Sequence, residues 1–298
     1  MANDNSKKPL ALALGTFDGL HKGHAAVIEA AVSLRAKGFD PFVLLFNKHP
    51  LEVLKGKAPA ELMTPELRVK ELDRLGAKSI VLDFERIKDL SAREFVEGIL
   101  VKQLNVRALS CGYDYHFGHH AQGTPETLQE LCDENGLELH VSPAVLYKGE
   151  AISSTRIRRA IEEGDLKSAN AMLGRDFSFD FEVSHGKKLG RTIGCPTINQ
   201  TFSENFVRPK QGVYFSHALV EGQKRPALTS IGTRPTFEGK SERSETFILD
   251  FCGDLYGKRI EVSLTEYLRE ERKFKDIEEL SRQIQQDILE AKKYFSVL

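Results

Sequence analysis

The chain has 298 residues, 42 of them basic and 43 acidic, with a formal net charge of −1 at pH 7. That length accommodates one large or two ordinary domains of roughly 100–200 residues each. The balanced charge excludes the broad basic footprint that general binding to nucleic acid or a membrane surface needs, so any polyanion is recognised at a local site and the expected partners are small molecules.

Cys111, Cys132, Cys195 and Cys252 are dispersed and form no C-x-x-C pair, which argues against a zinc site or disulfide framework and for a reducing, cytoplasmic setting. The polar start leads into an apolar stretch too brief for a signal segment, and no run approaches a membrane span.

The first apolar run, 10–14, reads as a strand and leads directly into Gly15-Thr16-Phe17-Asp18-Gly19-Leu20-His21-Lys22-Gly23-His24. A helix opening here sets His21 and His24 on one face of its first turn, where unpaired amides and the positive dipole end favour a polyphosphate. Gly15, Gly19 and Gly23 take away side chains where a nucleotide approaches the backbone. The pattern therefore reads as an ATP-handling site, although a single histidine at a helix start is often no more than a polar cap.

Further strands are expected at 41–46, 79–84, 107–111 and 137–141, alternating with helical patterns. Thr64-Pro65-Glu66 and Thr124-Pro125-Glu126 each give an N-cap, an N1 proline and a first-turn acid, and Ser91 with Glu94 forms a capping box. Gly38, Gly76 and Gly136 fall where C-caps are needed. Such alternation predicts a doubly wound α/β domain with a parallel sheet. From about Phe177 short strands separated by Gly, Pro and Asn take over, at 212–220, 225–231, 244–251 and 259–264, predicting an antiparallel meander or small barrel. An amphipathic helix over 277–294 closes the chain, with Ile277, Leu280, Ile284, Ile288 and Ala291 on one stripe.

These motifs resemble a known family. Leu14 to His24 is similar to its H-x-G-H motif, Gly112-Tyr113-Asp114-Tyr115-His116-Phe117-Gly118 to its G-x-D-F-x-F-G loop, and Ile152-Ser153-Ser154-Thr155-Arg156-Ile157-Arg158 to its S-S-T-x-I-R motif. Together they mark the FMN adenylyltransferase module of the bacterial bifunctional riboflavin kinase/FAD synthetases. Residues 185–199, Gly212-Val213-Tyr214, 231–237, 245–251 and 255–258 resemble that family's kinase module.

The resemblance implies a Rossmann-like nucleotidyltransferase domain over 1–176 and a Greek-key β-barrel with a C-terminal helix over 177–298. It implies ATP as co-substrate, riboflavin, FMN and FAD as substrates or products, and Mg²⁺.

For adenylyl transfer an FMN phosphate oxygen attacks the α-phosphorus of ATP and expels pyrophosphate, so alignment and charge neutralisation are the main tasks. His21 and His24 suit hydrogen bonding to phosphate, with Gly15, Phe17, Asp18, Gly19 and Gly23 forming the surrounding nucleotide loop. Ser154, Thr155 and Arg158 suit the leaving pyrophosphate, although a serine and threonine there also make an ordinary helix cap. Asp114 is placed against the flavin or adenylate; Tyr115 and Phe117 are either ligand-facing aromatics or core. His116, His119 and His120 have no fixed donor set for a metal.

One departure stands out. Where the family carries F-x-P-H-P, this chain has Phe46-Asn47-Lys48-His49-Pro50, keeping His49 in the binding set while changing its neighbours. Lys48 is a candidate extra charge near phosphate.

Phosphoryl transfer to an alcohol calls for a metal-bridged phosphate, a glycine-rich backbone and a base. At strand spacing Thr197 and Asn199 face one side, where their oxygens share one Mg²⁺; Pro196 precedes them. Gly186, Gly190, Gly194 and Arg191 make a phosphate-covering loop, and Arg234 sits in a further motif of the same module. Glu245 is, by resemblance, the general base for the riboflavin 5′-hydroxyl. Taken singly, Thr197 and Asn199 also read as strand-end polar residues and Glu245 as solvent-facing. Gly239-Lys240-Ser241 ends like a Walker A loop but has Arg234 where the first glycine belongs. Two alternatives to the bifunctional enzyme are a riboflavin kinase with a degenerate adenylyltransferase module and a non-catalytic flavin- or nucleotide-binding regulator.

Overall fold

The computed structural model describes residues 8–184, 197–236 and 239–297. The chain divides into two compact units, Met1–Pro59 with Pro65–Ser154, and Ala60–Thr64 with Thr155–Leu298.

In the first unit the strands β1 (Leu10–Ala13), β2 (Asp40–Phe46), β3 (Lys78–Leu82), β4 (Val106–Gly112) and β5 (Glu138–Ser142) form a parallel sheet in the order β3-β2-β1-β4-β5. This is the doubly wound arrangement, in which strand order reverses between β1 and β4. The crossovers contain α1 (Lys22–Ser33), α2 (Pro50–Lys55), α3 (Pro65–Leu75), α4 (Phe84–Ile87), a π-helix over Glu94–Gln103 and α5 (Pro125–Asn135). Leu12, Leu44, Leu100, Leu109 and Leu128 are sealed between sheet and helices, and truncating one such leucine to alanine typically costs about 2–5 kcal/mol.

The helix signals operate as the sequence predicts. Glu94 N–H donates to Ser91 Oγ at 3.2 Å while Ser91 N–H donates to Glu94 Oε2 at 2.8 Å, a reciprocal capping box. Donation to that carboxylate from the Ser91 N–H and hydroxyl holds it below the usual range. The helix they open then widens, with Leu104 N–H donating to Ile99 O five residues back at 3.0 Å.

Two strand ends shift for local reasons. Leu137, expected in a strand, gives its N–H to Cys132 O at 2.9 Å in the exit turn of α5, so β5 starts at Glu138. Asp83 accepts from Glu85 N at 3.2 Å and caps α4, so β3 ends at Leu82.

The second unit contains most of α6 (Ser154–Glu163), then α7 (Leu166–Leu173) and an antiparallel sheet. Its strands are β8 (Phe177–Phe179), β9 (Val183–Ser184), β10 (Thr197–Thr201), β11 (Gly212–Val220), β12 (Gln223–Thr236), β13 (Gly239–Ile248) and β14 (Glu261–Arg269). The hairpin β6 (Leu146–Tyr147) and β7 (Glu150–Ala151) precedes them in the chain.

The sheet order β8-β14-β11-β12-β13-β10-β9 has three hairpin-connected strands, β11 to β13, with β14 returning beside the first. This is the Greek-key order, in a curled half-barrel. The strand expected over 244–251 stops at Ile248, before Asp250, whose φ of +51° turns the chain out of extended geometry.

The helix α8 (Ile277–Val297) lays Ala291, Ile288, Tyr294 and Phe295 on Val213, Phe215 and Leu228, with the Phe215 and Tyr294 rings stacked at 4.2 Å. Ile277, assigned to that apolar stripe by spacing, is instead 68% exposed.

Candidate active sites

In the first unit, the topology brings two sequence motifs to one place. β1 and β4 are neighbours, Leu14 N–H donates to Ser110 O at 2.8 Å, and both strands end at the switch point where open α/β sheets bind ligands. The loop after β1 is tightly wound: Phe17 (φ +50°), Gly19 (φ +77°) and Leu20 (φ +42°) are all left-handed. Such geometry is costly for Phe and Leu. Here both side chains are 1% exposed, and that burial opposes the strain.

His21 caps α1, its Nδ1 accepting from His24 N at 3.2 Å. An accepting Nδ1 leaves the proton of the neutral ring on Nε2, a hydrogen-bond donor. The two imidazoles stack at 3.7 Å and 16°, and Phe17 meets His24 edge-on at 5.3 Å. Gly23 carries no side chain beside them; a Cβ there would lie 3.1 Å from His21 Cε1. Gly15 similarly makes room for the Phe17 ring, 3.1 Å from its own would-be Cβ.

Asp18 is 5% exposed, with its carboxylate 3.9 Å from Arg68 Nη2. Its carbonyl accepts from Ser154 Oγ at 3.0 Å, so the first residue of the S-T-x-I-R helix is tied to the nucleotide loop. Arg68 was not visible from sequence, where an arginine on a mixed helix reads as surface. Its side chain is 19% exposed, and Nε is buried with no hydrogen-bond partner among the described residues.

Asp114 is exposed in the turn after β4, and Gly112 makes room for its carboxylate, 3.0 Å from a would-be Cβ. Phe117 is 6% exposed and belongs to the core, with Tyr115 stacked on it at 5.5 Å. The aromatic pair thus anchors the loop, and burial drives the Tyr115 hydroxyl's pKa upward. Burial likewise pushes the Cys111 thiol up to about 12, leaving no thiolate nucleophile there at neutral pH. Among the described residues no group of three or more His, Cys, Asp or Glu is placed to hold a metal. His116 Nδ1 instead bonds Asp114 O at 2.9 Å.

The changed segment after β2 has its own bonds. Asn47 Oδ1 accepts from Lys48 N at 2.9 Å and Phe84 N at 3.3 Å, and its Nδ2 reaches Asp83 at 3.2 Å. Lys48 pairs with Glu85 at 3.0 Å. His49 caps α2, accepting from Leu51 N at 3.1 Å.

Thr155 and Arg158 lie in the second unit on α6, Thr155 exposed and Arg158 donating through Nε to Ala60 O at 2.6 Å.

Within the sheet of the second unit, β10 and β13 run antiparallel with Asn199 opposite Glu245 and Thr197 opposite Phe247. Directly paired residues share a face, so Thr197 and Asn199 face one side as the spacing predicts, and Glu245 lies on that same face. Asn199 is 5% exposed; its Nδ2 turns back to Thr197 O at 3.4 Å, and its Oδ1 has no hydrogen-bond partner among the described residues. An unsatisfied buried carbonyl oxygen costs about 1–3 kcal/mol, which a ligand at that atom offsets.

Of the remaining expected residues, Gly186, Gly190, Arg191, Gly194 and Pro196 lie outside the described residues, and Arg234 is placed only by its register opposite Ser241. Tyr214 is fully buried and its hydroxyl donates to Lys210 O. A Cβ on Gly212 would meet Arg269 O at 2.6 Å, so this glycine permits close approach of β14.

The chain thus has a doubly wound unit with His21 and His24 at its strand switch, and a Greek-key unit that carries Thr197, Asn199 and Glu245 on one face. Residues 3–156 match the FAD synthetase family and residues 173–295 the riboflavin kinase family. A relative from Escherichia coli strain K12, a bifunctional riboflavin kinase/FMN adenylyltransferase, is 36% identical over 291 residues, covering 96% of this chain and 93% of the relative. The Bacillus subtilis strain 168 protein of the same description is 35% identical over 295 residues, with the same coverage. A crystal structure described as a macrolide-efflux protein from Streptococcus pneumoniae superposes with a TM-score of 0.87 at 32% identity, covering 97% of this chain and 96% of that one. The chain belongs to the bifunctional riboflavin kinase/FMN adenylyltransferase family. No helix among the described residues is long and apolar enough to cross a membrane.

Proposed function

We propose that this chain phosphorylates riboflavin to FMN in its second unit and adenylylates FMN to FAD in its first, using ATP for both steps. The observation that carries this is the presence of both family regions in one chain. We place both activities in the cytoplasm, in keeping with the three unpaired cysteines among the described residues.

For phosphorylation, Thr197 and Asn199 are suited to hold Mg²⁺, because the orphaned Asn199 Oδ1 is the kind of hard oxygen donor that ion takes. Bound there, the ion supplies charge neutralisation for the ATP phosphates. Glu245, beside Asn199, takes the proton of the riboflavin 5′-hydroxyl as that oxygen bonds to the γ-phosphorus and ADP leaves. The 186–196 segment and Arg234 complete the phosphate site on this account.

For adenylylation, the amides of Lys22 and Gly23 at the start of α1 and the stacked imidazoles of His21 and His24 are suited to the phosphate charge. An FMN phosphate oxygen bonds to the α-phosphorus, and the bond to pyrophosphate breaks. We assign Ser154 to the departing pyrophosphate, Asp114 to the flavin or adenylate, and His49 to the flank of the site.

Incubating the full chain with riboflavin, ATP and Mg²⁺ and separating the flavins by chromatography tests this. FMN followed by FAD is expected. FMN alone would leave only the kinase active, and flavin binding with no product would overturn the proposal.

A further inference from the structure

Beyond the residues assigned above, the second unit holds a carboxylate that the reaction scheme does not use. Glu271 lies just past β14, and its Oε1 accepts from Ser230 Oγ at 2.9 Å. Ser230 is the direct register partner of Glu245 on the strand next to it, so successive strands present Asn199, Glu245 and Ser230 in one row on one face. Glu271 therefore fixes the immediate neighbour of the assigned base.

Two further observations bear on this contact. Gly232, on the same face as Ser230, has no Cβ where the Glu271 carboxylate rests; one placed there would collide with both carboxylate oxygens. Two residues upstream, Arg269 grips Asp287 through two bonds, Nε to Oδ1 at 2.9 Å and Nη2 to Oδ2 at 2.6 Å, and Asp287 is 4% exposed. Gln283 adds a bond to Asp287 Oδ1 at 2.8 Å. A bidentate pair of this kind has little freedom, so the backbone carrying Glu271 is anchored to α8 while its side chain reaches β12.

We propose that Glu271 is a positioning residue for riboflavin phosphorylation: seated over Gly232 and holding the Ser230 hydroxyl, it fixes the wall beside Glu245 against which the acceptor alcohol is aligned. A hydroxyl has a single proton, and Ser230 gives it to Glu271 rather than to Glu245. Loss of the carboxylate releases the Ser230 hydroxyl. Misalignment of a reacting group lowers turnover more than ground-state affinity for a distant co-substrate. This proposal rests on the kinase assignment made above.

The test is steady-state kinetics of FMN formation by the full chain, with FAD formation from supplied FMN measured alongside as a check on folding. Glu271→Ala is expected to lower kcat for FMN formation about tenfold or more, with KM for ATP and FAD formation unchanged. Glu271→Gln retains an acceptor oxygen for Ser230 and is expected to restore most of the lost turnover. Gly232→Ala, which displaces the carboxylate without altering it, should reproduce the kcat loss. Adding Ser230→Ala to Glu271→Ala should cause little further loss, because the two side chains act as one unit.

Unchanged kcat in Glu271→Ala overturns the proposal. So does a Gln variant as impaired as Ala, or effects of the Ser230 and Glu271 changes that simply multiply. Glu245→Gln in the same assay separates the two levels: if that variant still makes FMN at the native rate, the kinase assignment itself fails. If it is inactive while Glu271→Ala is normal, only the positioning role fails.

Discussion

Asn199 and Glu245 face each other across the β10–β13 ladder, a buried amide oxygen beside a half-buried carboxylate. They are 46 positions apart in sequence, yet the register makes them adjacent in a way that suits proton removal from an alcohol. Glu245→Gln is accordingly expected to reduce riboflavin phosphorylation by about 10²-fold or more, and Asn199→Ala to reduce it comparably. FAD formation from supplied FMN should persist in both. Separate assays of the two steps check this, and native FMN production in both variants would refute the site.

The converse is expected in the first unit. His24→Ala removes one ring of the stacked imidazole pair. It should lower FAD formation by about 10²-fold while leaving riboflavin phosphorylation intact. Equal loss of both activities in folded protein would show that the steps share machinery.

Lys48 is predicted to matter little. Its ammonium pairs with Glu85 at the exposed surface, which raises its pKa but contributes little to folding. Lys48→Ala should leave FAD formation within about twofold of the native rate; a larger drop, read by the same flavin separation, would restore a phosphate role for this residue.

Asp287 is predicted to be a stability hot spot. Its carboxylate is buried and takes bonds from both Arg269 and Gln283, so Asp287→Ala leaves a guanidinium without its counter-charge. Removing one partner of a buried pair costs about 3–5 kcal/mol, and because Arg269 keeps 23% of its side chain in water the loss should fall toward the lower end. Denaturant unfolding of the variant would measure it.

Much of this organisation was legible in the chain. Apolar runs alternating with Pro-, Thr- and Gly-marked helices gave the parallel sheet, because caps such as Ser91 with Glu94 act locally and their chemistry is visible in four residues. The pairing of His21 with His24 was legible for the same reason. The Asn199–Glu245 pairing rested on resemblance, since antiparallel register is set by tertiary packing rather than by either strand alone.

Other features needed the fold. Arg68 reads as a surface residue until Asp18 is seen buried beside it, and Ser154 reads as a helix cap until its hydroxyl is seen on Asp18 O. Whether Tyr115 and Phe117 face ligand or core was undecided by sequence because both uses need the same apolar ring; packing against the first unit's core decides it.

The central claim is that one chain uses two different phosphorus atoms of ATP in two separate sites. Supplying riboflavin with ATP labelled at either the γ- or the α-phosphate tests it most directly. The γ-label should enter FMN and persist in FAD, whereas the α-label should enter FAD alone. Label from either position appearing in no flavin product would contradict the account.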